Sequence, residues 1–162
     1  MPIDGDAEIE AVFVRVIGDR ARYENCCAAA KLHEPDDIGL TQTERFAIWL
    51  YSSTDAYWFR RINSELWNGL PSDDVRCISE LMTSALSKLP IHDGYSFRGY
   101  TAADFEAFVA QFDPGMTLRW PGFTSSSADQ VKAYNGNVLF IIHSQNGRIL
   151  GPYADKPNED EV

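Results

Sequence analysis

Apolar side chains recur at helical spacing through roughly the first ninety residues of the chain. This spacing predicts a long helix from about Asp6 to about His33. The sequence Thr41-Gln42-Thr43-Glu44 is that of a capping box and opens a second helix. Two further helices are expected, one restarting at Ser52 and running through Leu66, the other running from about Asp73 to Leu89. The first half of the chain is therefore predicted to be helical.

After Pro90 the pattern changes to short alternating stretches separated by glycine, asparagine and proline. Gly94 to Tyr100 alternates apolar with polar side chains, which predicts a half-buried strand. A short helix is expected after a second capping-box sequence at Thr101–Asp104, and Asn146-Gly147 is expected to form a turn. The other predicted elements are strands at Met116–Trp120, at Asn137–His143 in the centre of the sheet and from Arg148 to Leu150, with one or two helical turns at Ala128–Tyr134.

Helices that precede strands predict the α+β class, with an N-terminal helical lobe packed on a sheet or a small mixed β-sandwich. A chain of 162 residues is expected to form one domain, here mainly helical over residues 1–93 and mainly β over residues 94–162.

Composition and charge exclude several classes of protein. The net charge of −10 argues against binding to nucleic acid, since phosphate backbones attract basic proteins. The three cysteines and three histidines lack the spacing of ligands, so neither a metal site nor a disulfide framework is expected. No run of about eighteen apolar residues is present, so no membrane span is expected. No secretory signal is visible at the N-terminus.

Three groups of polar residues are not explained by helix or strand formation. Arg98 is costly to bury unless it meets a carboxylate or phosphate, and Gly99 beside it allows close approach to the backbone. Ser125-Ser126-Ser127 places hydroxyls directly after an aromatic stretch. Glu159 and Glu161 would point to one face of a strand, where two carboxylates repel unless one meets a cation. Each group also has a plain structural reading: an ion pair, a turn and a solvated tail.

Taken in this order, the three groups resemble the Arg–Ser–Glu class of mono-ADP-ribosyltransferases, which includes bacterial toxins and injected effectors. The resemblance extends upstream and covers roughly residues 38 to 162. Residues similar to the helical segment of those toxins are Leu40-Thr41, Glu44, Ala47-Ile48, Tyr51, Tyr57, Ile62-Asn63 and Leu66, and the sequence Lys156–Val162 looks like their acceptor-recognition loop.

The resemblance implies that NAD binds in a cleft between two sheets, without a metal. Arg98 would hold the pyrophosphate or the adjoining ribose phosphate, and the backbone of Gly99 would hold the nicotinamide carboxamide. Ser125 would orient the catalytic carboxylate, and Ser127 would support the strand. Glu161 would bind the ribose 2′-hydroxyl and stabilise the positive charge that develops as nicotinamide leaves.

The resemblance also implies the acceptor. A glutamate at position 159, two residues before the catalytic one, goes with arginine acceptors in this family, and Tyr153 would touch the protein substrate. The implied function is transfer of ADP-ribose to an arginine of a target protein, by an enzyme that is secreted or injected and acts in the cytoplasm of a target cell. A cognate immunity protein is an expected partner if that cell is a rival bacterium.

Two alternatives remain open from the sequence. The same residues would serve an NAD glycohydrolase with water as the acceptor. A catalytically degenerate binding module is the second alternative, because the chain stops at Val162, where family members continue with a final strand. Ser126 also departs from the threonine that is commoner at this position, and this change is expected to be harmless.

Overall fold

The helical half of the protein packs as a layer against a small sheet. A computed structural model describes residues 5–31, 38–54, 57–155 and 161–162. Within these residues the longer helices are α1 (Asp6–Ile17), α2 (Arg20–Lys31), α3 (Gln42–Ser52), α4 (Trp58–Trp67) and α5 (Asp73–Lys88).

The long helix expected from Asp6 to His33 is wrong as a single element, because the chain breaks at Gly18. This glycine adopts φ 104°, a left-handed conformation that closes α1 while its N–H donates to the Val14 carbonyl. Asp19 then caps α2, since its carboxylate accepts from the Arg22 N–H at 2.7 Å. His33 lies outside the described residues.

The capping box of α3 is confirmed: the Thr41 hydroxyl accepts from the Glu44 N–H, and the Glu44 carboxylate accepts from the Thr41 N–H. The helix expected to restart at Ser52 is corrected, because Ser52 ends α3 and α4 begins only after Tyr57, which is left-handed at φ 51°. The predicted helix from Asp73 agrees with α5, which Ser72 caps.

The buried side of α3 joins these helices into one core. Its Glu44 is 3% exposed, and its carboxylate accepts hydrogen bonds from Lys88 and Ser84 of α5, each at 2.7 Å. Such pairing is what allows a carboxylate to be buried. The completely buried side chains of this core include Phe13, Phe46, Ile48, Leu50, Ile62, Ile78, Met82 and Leu89.

The β half contains β1 (Ile91–Tyr100) and β2 (Val138–Arg148), which pair antiparallel with Arg98 opposite Phe140. The short helix α6 (Phe105–Val109) lies between them in sequence, and its cap is the Asp104 carboxylate rather than Thr101. Short 3-10 turns occur at Gln130–Lys132 and Gly151–Tyr153. The first lies within the expected helical turns at Ala128–Tyr134. The helical layer with a small antiparallel sheet confirms the α+β class.

Two predictions in the β half are wrong in detail. The expected turn at Asn146-Gly147 does not reverse the chain, because β2 continues through these residues with an irregular register opposite His92 and Gly94. The separate strand expected from Arg148 is the end of β2. Met116–Trp120 forms no strand. It is held instead by Trp120, whose ring meets the Phe140 ring edge-on at 5.4 Å. Among the described residues β2 pairs with β1 alone, so its expected central position is not observed.

Candidate active site

The described residues of the predicted site line one cleft of about 630 Å³, a volume typical of a small-molecule site. The strand β1 contributes Arg98 and Gly99, the segment after Phe123 contributes Ser125 and Ser127, and Glu161 closes the group. Residues separated widely in sequence therefore share a wall. Glu159 lies outside the described residues.

A backbone ladder brings these segments together. Phe97 and Ser127 exchange two N–H···O=C hydrogen bonds of 2.8 Å each, so the serine segment adds to the edge of β1. On its other side, Ser126 exchanges hydrogen bonds with Val162 at 3.0 and 2.8 Å, which places Glu161 opposite Ser127. Arg98, Ser125 and Glu161 thus lie on three adjacent extended segments.

Glu161 is also held through its backbone carbonyl. Its carbonyl accepts hydrogen bonds from the N–H groups of Leu150 and Gly151, at 2.8 and 2.9 Å. Glu161 is half-buried and lines the same cleft as Arg98 and Ser125. The main chain that carries the Glu161 carboxylate is therefore fixed within the described structure.

Arg98 is half-buried and donates from Nη1 to the carbonyl oxygen of Ser125 at 2.5 Å. This contact ties the guanidinium to the serine segment across 27 residues of sequence. An arginine anchored in this way presents its planar group to the cleft in a fixed orientation. Arg60 and Lys132 also line the cleft, and Arg60 packs over the Tyr57 ring at 4.8 Å. The cleft therefore gathers cations on a strongly acidic protein.

The sequence predicted that another group approaches the backbone closely at Gly99. In the structure this group is the main chain at Tyr134. A Cβ atom at this position would lie 1.5 Å from the Tyr134 carbonyl oxygen. A Cβ on Gly136 would similarly lie 2.2 Å from the Tyr100 carbonyl oxygen. The two glycines let residues 134–136 cross tightly over the end of β1. Residues 132–134, at the start of this segment, line the cleft.

Two further polar residues of the cleft, Tyr51 and Asn63, were assigned no chemistry from the sequence pattern, which placed Tyr51 only on the core face of its helix. Tyr51 is 4% exposed, and its hydroxyl donates to the Phe123 carbonyl at 3.2 Å. Burial raises the pKa of the Tyr51 phenol, and the negative charge of Glu161 adds to this effect. The only sequence signal for a role of Tyr51 and Asn63 in the site was that both residues match the helical segment of the toxin family.

A second cleft, of about 450 Å³, lies on the other side of the serine segment. It shares Tyr51, Ser125, Ser126 and Glu161 with the first cleft, and its other walls include the apolar side chains of Met82 and Leu86. The Ser126 hydroxyl donates to the buried Ser96 hydroxyl at 2.9 Å beneath it. The Ser125–Glu161 wall is thus thin and accessible from two sides.

The described residues show neither a group of His, Cys, Asp and Glu side chains that could hold a metal ion, nor a helix that is long and apolar enough to cross a bilayer.

The fold is similar to that of several solved ADP-ribosyltransferases and effectors. Exoenzyme S of Pseudomonas aeruginosa, solved with human 14-3-3 protein beta and carba-NAD, is 18% identical with a TM-score of 0.70, over 97% of this chain and 74% of that chain. The type III effector XopAI of Xanthomonas axonopodis pv. citri is 16% identical with a TM-score of 0.72, over 98% and 76%. The eukaryotic mono-ADP-ribosyltransferase ART2.2 is 21% identical with a TM-score of 0.68, over 97% and 74%.

Comparison of sequences agrees with this likeness. Mav of Mycobacterium avium (strain 104), whose name places it among the NAD(+)–arginine ADP-ribosyltransferases, is 30% identical over 109 residues. The match covers 64% of this chain and 13% of that relative's length. The family model for NAD:arginine ADP-ribosyltransferases matches residues 18–162. The resemblance read from the motifs is confirmed, and the chain belongs to the NAD:arginine ADP-ribosyltransferase family.

Proposed function

We propose that this domain transfers ADP-ribose from NAD to an arginine side chain of a target protein and releases nicotinamide. The observation that supports the proposal most directly is the shared cleft of Arg98, Ser125 and Glu161. In the reaction, the bond between C1′ of the ribose and the nicotinamide nitrogen breaks, and nicotinamide leaves with the electron pair. A nitrogen of the acceptor guanidine then bonds to C1′ and gives up one proton.

Each residue of the cleft has a task that suits its chemistry. Arg98 binds the pyrophosphate or the adjoining ribose phosphate through the guanidinium that Ser125 already orients. The Glu161 carboxylate binds the ribose 2′-hydroxyl and stabilises the positive charge that develops at C1′. Ser125 orients this carboxylate, and Ser127 holds the strand that carries it. The Gly99 backbone binds the carboxamide of nicotinamide.

Glu159 selects the acceptor in this proposal. A carboxylate two residues before Glu161 orients the incoming guanidinium and accepts its proton, which a neutral amide would do poorly. Tyr153 lies ahead of this segment and contacts the target protein. The partner is therefore a protein with an exposed arginine.

The place of action follows by analogy with the effector relatives. XopAI is a type III effector, and exoenzyme S was solved in complex with human 14-3-3 protein beta. We place this domain in the same setting, delivered by secretion or injection and acting in the cytoplasm of a target cell. An immunity protein that covers the cleft would protect a producing bacterium.

The test is transfer of labelled ADP-ribose from NAD to polyarginine and to proteins of a cell lysate. Glu161→Gln should lower the rate by at least about 100-fold, because the developing charge loses its carboxylate. NAD binding measured by calorimetry should remain. The matched control is Glu106→Gln on the exposed face of α6, which should keep the wild-type rate. Absence of transfer by the wild-type protein would contradict the proposal.

Glu159→Gln separates the acceptor from the donor chemistry. It should abolish transfer to polyarginine while nicotinamide release to water continues, because Glu161 still acts on the ribose. Nicotinamide release by the wild type without any transfer would instead indicate an NAD glycohydrolase. A wild-type protein that does not bind NAD in calorimetry would indicate the binding module.

A further inference from the structure

The backbone of Phe123, two residues before the serine motif, is held by side chains from two different helices. Asn63 of α4 accepts from the Phe123 N–H through Oδ1 at 2.9 Å. The same amide donates from Nδ2 to the Tyr51 hydroxyl at 3.1 Å, and that hydroxyl donates to the Phe123 carbonyl at 3.2 Å. Tyr51 belongs to α3, so the helical layer satisfies both backbone polar groups of Phe123. We call this set, Tyr51 with Asn63 and Phe123, the helical clamp.

Packing restricts the helical clamp as strongly as its hydrogen bonds do. The Phe123 ring meets the Tyr51 ring edge-on, with centroids 5.6 Å apart. A Cβ on the preceding residue, Gly122, would lie 2.6 Å from Asn63 Oδ1. The clamp therefore requires a glycine beside it, and the segment has little freedom to shift on the helices.

The helical clamp acts at the start of a segment that has no regular secondary structure of its own. Residues 121–126 form neither helix nor strand. The far end of the segment is fixed at Ser127 by its ladder with Phe97 and Glu161. Between the two attachments lies Ser125, whose carbonyl receives the Arg98 guanidinium. The helical layer thus determines where the first attachment lies relative to β1.

We infer that Tyr51 and Asn63 are positioning residues, which act through Phe123 to set Ser125 against Glu161 and Arg98. This inference rests on the proposed function. Both side chains line the cleft, and the polar atoms that define the clamp are directed to each other and to Phe123, while the Tyr51 hydroxyl also interacts with the Ser125 side chain. The clamp therefore affects the turnover of bound NAD more than its affinity.

The test compares Tyr51→Phe with Tyr23→Phe, two changes that each remove one hydroxyl from a buried tyrosine of the helical layer. Tyr23 is 6% exposed and packs against Phe13 and Phe46, away from the cleft. In Tyr51→Phe we expect kcat for nicotinamide release to fall between about 10-fold and 100-fold, since misplacement of a supporting group by about 1 Å has this effect. The dissociation constant for NAD should stay within about twofold of the wild-type value. Tyr23→Phe should change neither quantity.

Asn63→Ala provides a second measurement of the same clamp. Alone it should match the loss of kcat in Tyr51→Phe, and the double variant should lose little more than either single one, because the residues act as a unit. If Asn63→Ala fails to fold by circular dichroism, the comparison of the tyrosines decides the inference.

Three results would overturn this inference while leaving the proposed function intact. They are an unchanged kcat in Tyr51→Phe, a loss of activity in that variant due entirely to weaker NAD binding, or an equal loss of kcat in Tyr23→Phe. Failure of the wild-type enzyme to release nicotinamide or to transfer ADP-ribose would instead remove the proposed function on which the inference rests.

Discussion

At the scale of single residues, the site depends on how closely the backbone is packed around Arg98. The neighbouring Gly99 has no room for a side chain, because the Tyr134 carbonyl occupies that space. The family resemblance assigns the backbone of Gly99 to a ligand, and the structure shows in addition that another part of the chain occupies the space beside it. A pattern in one segment indicates that space is needed but does not identify the segment that uses it.

Gly99→Ala should therefore damage both stability and activity. Its Cβ meets a backbone carbonyl rather than a flexible side chain, so residues 134–136 must move, at a cost of about 1–3 kcal/mol or more. Urea unfolding measures the stability, and nicotinamide release measures the effect on the cleft. Gly5→Ala is the control, since a Cβ there meets nothing within 4 Å. Equal stability of the two variants would contradict this explanation of Gly99.

At the scale of elements, the sequence predicted best where a local signal decides the structure. The capping box at Thr41–Glu44 and the start of α5 at Asp73 need only a few neighbouring residues. Gly18 shows the limit of this approach, because an isolated glycine in a helical pattern is compatible with both a continuous helix and a break. The left-handed turn at Gly18 follows from how α1 and α2 pack, which a local pattern does not contain.

The β elements were harder to predict because pairing partners are distant in sequence. Asn146-Gly147 has the composition of a turn, but pairing with β1 keeps these residues extended as part of β2. Met116–Trp120 has a strand-like pattern, but its Trp120 ring packs on Phe140 instead of its backbone joining a ladder. Likewise, that Arg98 and Glu161 line the same cleft was expected only from the family resemblance, since no local feature of either motif indicates it.

The junction of α4 and α5 gives a pH-dependent prediction. Burial raises the pKa of the Glu65 carboxyl, but hydrogen bonds from Arg61 and Ser72 outweigh it and lower the pKa to about 2, from an ordinary value of 4.5. A lowered pKa in the folded state means that the ionised carboxylate stabilises the protein above pH 4.5. That contribution should decline as the pH falls below 4.5 and vanish near pH 2.

Glu65→Gln should accordingly lower the free energy of unfolding by on the order of 1 kcal/mol at neutral pH. The difference from wild type should shrink steadily in urea unfolding experiments below pH 4.5. Glu80→Gln, on the exposed side of α5, should change stability by less than about 0.5 kcal/mol at any pH. A Glu65→Gln deficit that is independent of pH would show that the lost contacts are not those of the ionised group.

At the scale of the whole molecule, the charge of the protein would, under the proposed function, repel one substrate and attract the other. A net charge of −10 repels an anionic dinucleotide, so the proposed binding of NAD would depend on the local cations of the cleft, Arg60, Arg98 and Lys132. The same field attracts an acceptor that carries its arginine on a basic surface. Association with the target should therefore be sensitive to salt.

Raising the ionic strength from about 0.05 M to about 0.3 M should lower kcat/KM for a basic acceptor such as polyarginine by about 5-fold to 10-fold. Nicotinamide release to water, measured without acceptor at saturating NAD, should change much less, because no charged partner has to associate. Equal salt dependence of the two rates would mean that the overall field has no part in choosing the acceptor.

The cleft joins segments that a ribosome produces at very different times. Tyr51 meets Phe123 across 72 positions, and Ser127 pairs with both Phe97 and Glu161. During translation, a growing chain that has not reached Glu161 lacks both the carboxylate and the third segment of the ladder. Under the proposed function, a cell that makes this protein is exposed to its activity only once Glu161 has been synthesised.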